Sequence, residues 1–390
     1  MRLEAERVVG WLEPQLATYV DELGQLCAIE CPTSHKPGVD AAGTWVRHWA
    51  AARGWELRYF PDAEAGDGLV ATVRGRGRLR VMLVAHLDTV YPVGTAAARP
   101  LRQQDGRLIG PGSADNKSGL LSALYAAAAL AALAPESFGV VSVVCGGDEE
   151  TDARASGAML ASLAPAYDLA LVVEAARVNG DIVSARKGNG LFTLAVSGRA
   201  AHAGVDPERG ASAVLALAHQ VIALQALNGM RPGVTLNVGV ISGGTVPNAV
   251  PDQAMAQVDV RVVQPEDMAP VEAAIRAVAA EQRVPGTQTQ VSGGWGFAPM
   301  ARTPAIQRLV ALAQACAHEL GFTLQDTATG GVSYANLLAG AGLPVLDGLG
   351  PVGGRDHSPD EYIERGSIVP RTALLALLVA REGLLRAEGF

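Results

Sequence analysis

Two kinds of hydrophobic pattern divide the chain. In its first part, short continuous apolar runs alternate with longer helical patterns. The runs 55–60, 69–73, 79–85, 138–145 and 169–173 read as strands. Runs without polar alternation fit strands buried on both faces of a parallel or mixed sheet. Helical patterns read over 1–30, 117–133 and 153–163. Strands alternating with helices predict an α/β domain, with a mixed, mostly parallel sheet flanked by helices.

Beyond residue 187 the order changes. A strand at 191–196 is followed by a helix at 211–227, strands at 234–241 and 254–263, a helix at 270–282 and a strand at 287–291. This β-α-β-β-α-β order is the ferredoxin-like arrangement. It predicts an inserted α+β domain over 187–296, held within an α/β domain made of 1–186 plus 297–390. The α/β pattern resumes with a helix at 305–320, an apolar run at 343–346 and a helix at 367–388.

Composition narrows the class. At roughly 150 residues per domain, 390 residues fit two domains. A chain 49% hydrophobic and 18% charged is not disordered. A net charge of -8 argues against nucleic acid and an anionic membrane as main partners, since both select basic patches. The mean hydropathy is +0.20, yet the apolar stretch 120–134 is mostly alanine and falls short of the roughly 18 residues that span a bilayer. Charges every few residues leave the N-terminus without the apolar core of a signal peptide, so a cytoplasmic protein is expected. Cys27, Cys31, Cys145 and Cys316 lack the second pair of a zinc knuckle and read as buried thiols.

Chemistry concentrates just after the apolar runs. His86 and Asp88 follow one strand, two residues apart and so on one side of an extended segment. A Gly/Pro loop delivers Asp115 to a helix start, Glu149 and Glu150 follow another strand, and Glu174 ends the next. His357 stands far downstream. Singly, each is ordinary: Asp115 is an N-cap and the glutamates a solvated loop. Together, two histidines and several carboxylates at strand ends form a donor set for a pair of Zn²⁺ ions. Two ions about 3.5–4 Å apart need a bridging carboxylate, a water and a base. Asp115 suits the bridge, and Glu149 the base beside Glu150 as ligand.

The segments AHLDTV, GPGSADNKSG, GGDEET, VVEAA, GRAAHAG, GTVPNAVP and GGRDHSP resemble, in order and over nearly the whole chain, the aminoacylase and glutamate carboxypeptidase family of co-catalytic zinc metallopeptidases. The resemblance implies a zinc exopeptidase-like catalytic domain and two Zn²⁺ per subunit, with Co²⁺ or Mn²⁺ as substitutes. One ion would be held by His86, Glu174 and Asp115, the other by Glu150, His357 and Asp115. Asp88 would orient His86, and Glu149 would serve as general base and acid. The Asp115–Asn116 peptide would be cis. The inserted domain would form a homodimer, and its His202 would reach the partner's site to stabilise the oxyanion. Asn248, Arg261, Gly331 and Ser333 would hold the substrate carboxylate.

The implied substrate is a small N-acyl amino acid or peptide, cleaved at an amide bond next to a free carboxylate, by a carboxypeptidase or N-acyl amino acid hydrolase. An aminoacylase-type deacetylase or dipeptidase is the alternative. A binding or regulatory member without activity is the rival class, and the intact ligand positions and Glu149 argue against it. Glu174 resembles the carboxypeptidase and deacylase side of the family. Tyr334 stands where relatives carry an acid, and the stretch around Trp295 and Phe297 lacks the arginine of glutamate-specific members. Strict C-terminal glutamate specificity is therefore not implied.

Overall fold

The computed structural model describes residues 3–151 and 153–387. The outermost residues of the predicted first and last helices, 1–2 and 388, lie outside this range. The chain forms two compact units, one of Met1–Ala185, Arg302–Ala328 and Ser333–Phe390, the other of Arg186–Ala301 and Thr329–Val332.

The first unit is built on a six-stranded sheet in the order Glu56–Phe60, Gly68–Arg74, Val140–Gly146, Arg80–His86, Leu169–Val172, Val345–Leu346. The first two pairings are antiparallel and the remaining three parallel. The continuous apolar runs lie at its centre, and Val81 to Ala85 are fully buried. The helix Ser118–Leu133 is buried on nearly every side and packs on Arg80–His86, Val140–Gly146 and the last helix, Ile368–Ala387. Its alanines let it approach closely. Gly119 is required there, since a Cβ would lie 1.9 Å from the Val173 carbonyl oxygen.

Several elements depart from the sequence reading. The predicted helix over 1–30 is two helices, Ala5–Leu12 and Leu16–Cys27, joined by a 3₁₀ turn that begins at Glu13-Pro14. A sixteen-residue helix, Lys36–Ala51, fills a stretch with no assigned element. Gly38 and Gly43 weaken its intrinsic propensity. Burial of Val39, Ala42, Val46, Trp49 and Ala50 along one face supplies the stability that propensity lacks. A second, four-stranded antiparallel sheet was also unassigned: Gly353–Gly354, Tyr362–Glu364, Arg107–Ile109, Arg102–Gln104. Strands of two or three residues carry no readable period.

The second unit has the order Gly188–Ser197, Ala213–Gln225, Thr235–Gly243, Gln253–Val262, Met268–Ala280, Gln288–Phe297. Its antiparallel sheet runs second, third, first, fourth strand, the ferredoxin-like arrangement. Alternate residues Phe192, Leu194, Val196, Ala256, Val258 and Val260 join Leu217, Leu224, Val271 and Ile275 in one core. The predicted insertion at 187–296 is shorter than this unit. Residues 298–301 stay with it through the Arg186–Met300 bridge. Thr329–Val332 stay with it because Lys187 N donates to the Thr329 carbonyl and Arg186 Nη1 to that of Gly331.

Candidate active site

Within the first unit, seven predicted residues converge at the carboxyl ends of the parallel strands and the loops beside them. His86 is the last residue of its strand, and Glu174 follows the neighbouring parallel strand. Ligand sites of open α/β sheets lie at such ends. His86 Nε2 is 2.8 Å from Asp115 Oδ1 and 3.8 Å from Glu174 Oε1. The other oxygen of Asp115 is 3.2 Å from His357 Nε2, which is 3.1 Å from Glu150 Oε2. Asp115 thus joins two groups, His86 with Glu174 and His357 with Glu150. Ligand atoms of His86, Asp115 and Glu150 all fall within 4.8 Å of one another. The Asp115–Asn116 peptide is cis.

Asp88 ties two loops together. Its Oδ1 lies 3.2 Å from His86 Nδ1 and accepts from Glu149 N at 3.2 Å. Its Oδ2 accepts from Glu150 N at 3.1 Å and from the Thr33 hydroxyl at 2.7 Å. Asp88 so fixes the imidazole through its backbone carbonyl, 3.0 Å from His86 Nδ1, together with its buried carboxylate, which also holds the backbone of the two adjacent glutamates.

The electrostatics show a cluster short of positive charge. Burial, then the neighbouring Asp115, raises the Glu174 carboxyl well above its usual range. Burial likewise raises Glu149, with Asp115 and Glu150 adding to it against the opposing effect of His86. Asp115 is buried too, yet its bonds to His357 and His86 overcome that and hold it low. Bonds to Asp115 and Glu150 push His357 up to about 11. Buried Oε1 atoms of Glu150 and Glu174 have no hydrogen-bond partner. Buried acceptors without donors are costly, and a bound cation is a common resolution. These oxygens, the shared Asp115 and the two imidazoles fit divalent cations of the zinc type.

Ser333, expected to hold the substrate carboxylate, and Tyr334, which stands where relatives carry an acid, are both buried. Ser333 is 2% exposed, and its hydroxyl donates to Asp347 at 2.6 Å and accepts from Ala335 N to cap the helix Tyr334–Gly340. Tyr334 is 1% exposed and lies edge-on to His86, with ring centroids 6.4 Å apart. A Cβ on Gly146 would come 2.0 Å from its hydroxyl, so that glycine makes room for it. The Tyr334 side chain is thus packed under the cluster.

The second unit carries the other predicted residues in two places. His202 and Asn248 meet on a two-stranded ribbon, where His202 pairs with Ala249 and Ala203 N donates to the Asn248 carbonyl. Arg261 forms a two-point pair with Asp259, at 2.8 and 3.0 Å, and its Nη1 reaches the carbonyl of Gly330, next to Gly331.

Sequence reasoning missed Glu361, Tyr91 and Thr33. Glu361 is 1% exposed and accepts from the backbone of the turn that carries Asp115. Its one signal in the sequence was position, an acid four residues after His357.

Residues 82–381 match Peptidase family M20/M25/M40, and the chain belongs to that family. It is a metallo-hydrolase acting on amide bonds. Carboxypeptidase G2 of Pseudomonas sp. (strain RS-16) is 27% identical over 365 residues, which is 92% of this chain and 88% of that protein. The aminopeptidase PepT of Bacillus cereus shares the fold, with a TM-score of 0.78 at 22% identity over 97% of this chain and 98% of that one. So does the YXEP protein of Bacillus subtilis, a dinuclear metal-binding peptidase of the M20 family, with a TM-score of 0.70 at 15% identity over 95% and 99%. Among the described residues, no helix is long and apolar enough to cross a membrane.

Proposed function

We propose that this protein hydrolyses the amide bond next to a free carboxylate in a small N-acyl amino acid or peptide, as a carboxypeptidase or N-acyl amino acid hydrolase. The observation that carries the reading is Asp115, shared between His86 with Glu174 and His357 with Glu150. That donor set fits two Zn²⁺ per subunit, one on His86, Glu174 and Asp115, the other on Glu150, His357 and Asp115. Such ions polarise a carbonyl and acidify a water. The dinuclear character of the YXEP protein supports a pair.

Glu149 takes the proton of the attacking water and returns it to the leaving amine nitrogen. Its burial beside Glu150 raises its proton affinity toward that task. Asp88 fixes the tautomer and direction of His86. His202 donates to the oxyanion of a second copy's substrate, and Asn248, Arg261 and Gly331 receive the substrate carboxylate, for which Arg261 exchanges its Asp259 partner. Exposed Val240 and Ile241 on the edge strand, with Leu215 and Ile222 on the adjacent helix, support a homodimer through the second unit. We place the protein in the cytoplasm.

Turnover of a panel of N-acyl amino acids and folyl-glutamate, read together with metal content, tests this. Glu149→Gln should keep both ions and lose about 10²- to 10⁴-fold in kcat, the range of general acid–base catalysis. Loss of one ion with the substitution would reverse the roles of Glu149 and Glu150. No turnover of any substrate by the wild-type protein with two ions bound would defeat the reading.

A further inference from the structure

The turn that presents Asp115 is held from behind. Glu361 Oε1 accepts from Ala114 N and Asp115 N, each at 2.8 Å. Its Oε2 accepts from Gly112 N at 2.8 Å and from the Tyr91 hydroxyl at 2.6 Å. Its own carbonyl accepts from Gly110 N at 3.2 Å and from the Ser113 hydroxyl at 3.4 Å. A carboxylate has about four acceptor sites, and all are filled here. A buried charge is sustained by such bonds.

This arrangement has a direction. The Asp115 backbone N–H points to Glu361, while the Asp115 carboxylate meets His86 and His357. Glu361 lies four residues beyond His357 and opens the strand Tyr362–Glu364, which pairs with Arg107–Ile109 just before the turn. It therefore fixes the Asp115 turn against the segment that supplies His357. A neutral amide could not do the same. Glutamine keeps one oxygen for Ala114 and Asp115 but turns an NH₂ toward the Gly112 N–H, donor against donor.

We propose that Glu361, assisted by Tyr91, is a positioning residue that sets the Asp115 carboxylate between the two imidazoles. This rests on the reading of Asp115 as a shared metal ligand. Its consequence is specific. Removing the carboxylate loosens the turn 110–117 and weakens metal binding, and it lowers kcat rather than raising KM, because Glu361 is buried behind the turn and acts through the Asp115 backbone.

The test uses the full-length protein with Glu361→Gln and Tyr91→Phe. Three readouts are taken: Zn²⁺ affinity by competition with a chelator, hydrogen exchange of the metal-stripped protein, and kcat against KM. Glu361→Gln should weaken Zn²⁺ binding by about 10- to 100-fold, the scale for residues that orient ligands. Amide exchange should accelerate in 110–117 without a general increase across the first unit. Tyr91→Phe removes one of four donors and should shift the same readouts in the same direction by less than Glu361→Gln does, under about tenfold. It also keeps the proposal testable if Glu361→Gln does not fold. Wild-type Zn²⁺ affinity in either folded variant would overturn the proposal, as would accelerated exchange spread evenly over the unit. If Asp115→Asn keeps both ions, the metal reading itself fails, an outcome distinct from failure of the Glu361 variants alone.

Discussion

The two imidazoles that meet Asp115 come from different kinds of structure. The His86 side chain is 0% exposed and ends a strand set between two parallel neighbours. The His357 side chain is 52% exposed and sits on a loop, with left-handed φ at Arg355 (60°) and at itself (61°). Left-handed backbone at residues other than glycine persists where surrounding contacts determine it, and it gathers at functional loops. One half of the site is made rigid by the sheet. The other half depends on hydrogen bonds made by a short loop, and Glu361 is where those bonds meet. The cluster thus rests on core packing at one end and on polar anchoring at the other.

The largest expected difference follows from burial. His86→Ala leaves Asp88 buried without its imidazole, and breaking a buried pair costs about 3–5 kcal/mol. His357→Ala removes a half-exposed partner, worth about 0–1 kcal/mol. In metal-stripped protein, thermal melting should show a large loss for His86→Ala and little for His357→Ala. Metal analysis should find one ion retained by His357→Ala. A His357→Ala protein that melts below His86→Ala, or that loses both ions, would break the contrast.

A second difference concerns pH in the stripped protein. Burial raises Glu149 from its ordinary 4.5 to about 8, so the folded state holds the proton more tightly than the unfolded chain does. An acid raised in this way costs stability progressively as pH climbs from 4.5 toward 8. His357 is raised from 6.5 to about 11 by Asp115 and Glu150, so its contribution is full below 6.5 and drains away above it. Both signs agree. Melting of chelated protein should fall from pH 5 to pH 8, and Zn²⁺ should flatten the profile. Glu149→Gln should flatten it more than His357→Ala, since the buried group carries the larger burial cost. A profile flat or rising over that range in the chelated wild type would remove the basis of the argument.

The same contrast explains what was legible in the sequence. The His86 half was readable because its supports are long apolar runs. Five strands and the helix after Asp115 could be placed from them within a residue or two. The ferredoxin-like order was readable because Gly188–Ser197 and Gln253–Val262 alternate buried and partly exposed residues. The His357 half was legible only as a motif. Its sheet consists of two- and three-residue strands, and Glu361 acts through backbone N–H groups that leave no mark on neighbouring side-chain types. Lys36–Ala51 was missed because its helix is stabilised by tertiary burial against its glycines. Tyr334 shows the limit of reading by position. Its place in the motif showed only that an acid of the relatives is missing, while its ring lies edge-on to His86.

The smallest effect should come from Thr33, and it sharpens the comparison because it reaches both halves through one carboxylate, Asp88, which faces His86 with Oδ1 and holds Glu150 N with Oδ2. Its hydroxyl donates to Asp88 Oδ2 at 2.7 Å, from a segment pinned to Thr89 by a parallel bridge at Pro32. Thr33→Val keeps the shape and removes that donor. Asp88 retains Glu149 N, Glu150 N and His86, so the carboxylate stays in place with one oxygen less well satisfied. A hydrogen bond to a charged group is worth about 1.5–3 kcal/mol, and only the part that changes the aim of His86 or of Glu150 reaches the metal. Zn²⁺ affinity on the His86 side should therefore fall by less than about tenfold, below the 10- to 100-fold scale of a direct orienting partner. Affinity on the His357 side should fall by a similar small factor, because the same Asp88 Oδ2 accepts from Glu150 N, while the Asp115 turn stays held through Glu361. Thr33→Ser restores the donor and should recover the loss. Stepwise chelator titration of the three proteins reads both affinities. Weakening confined to the His86 side in Thr33→Val would mean that Glu150 keeps its aim without the full support of Asp88 Oδ2.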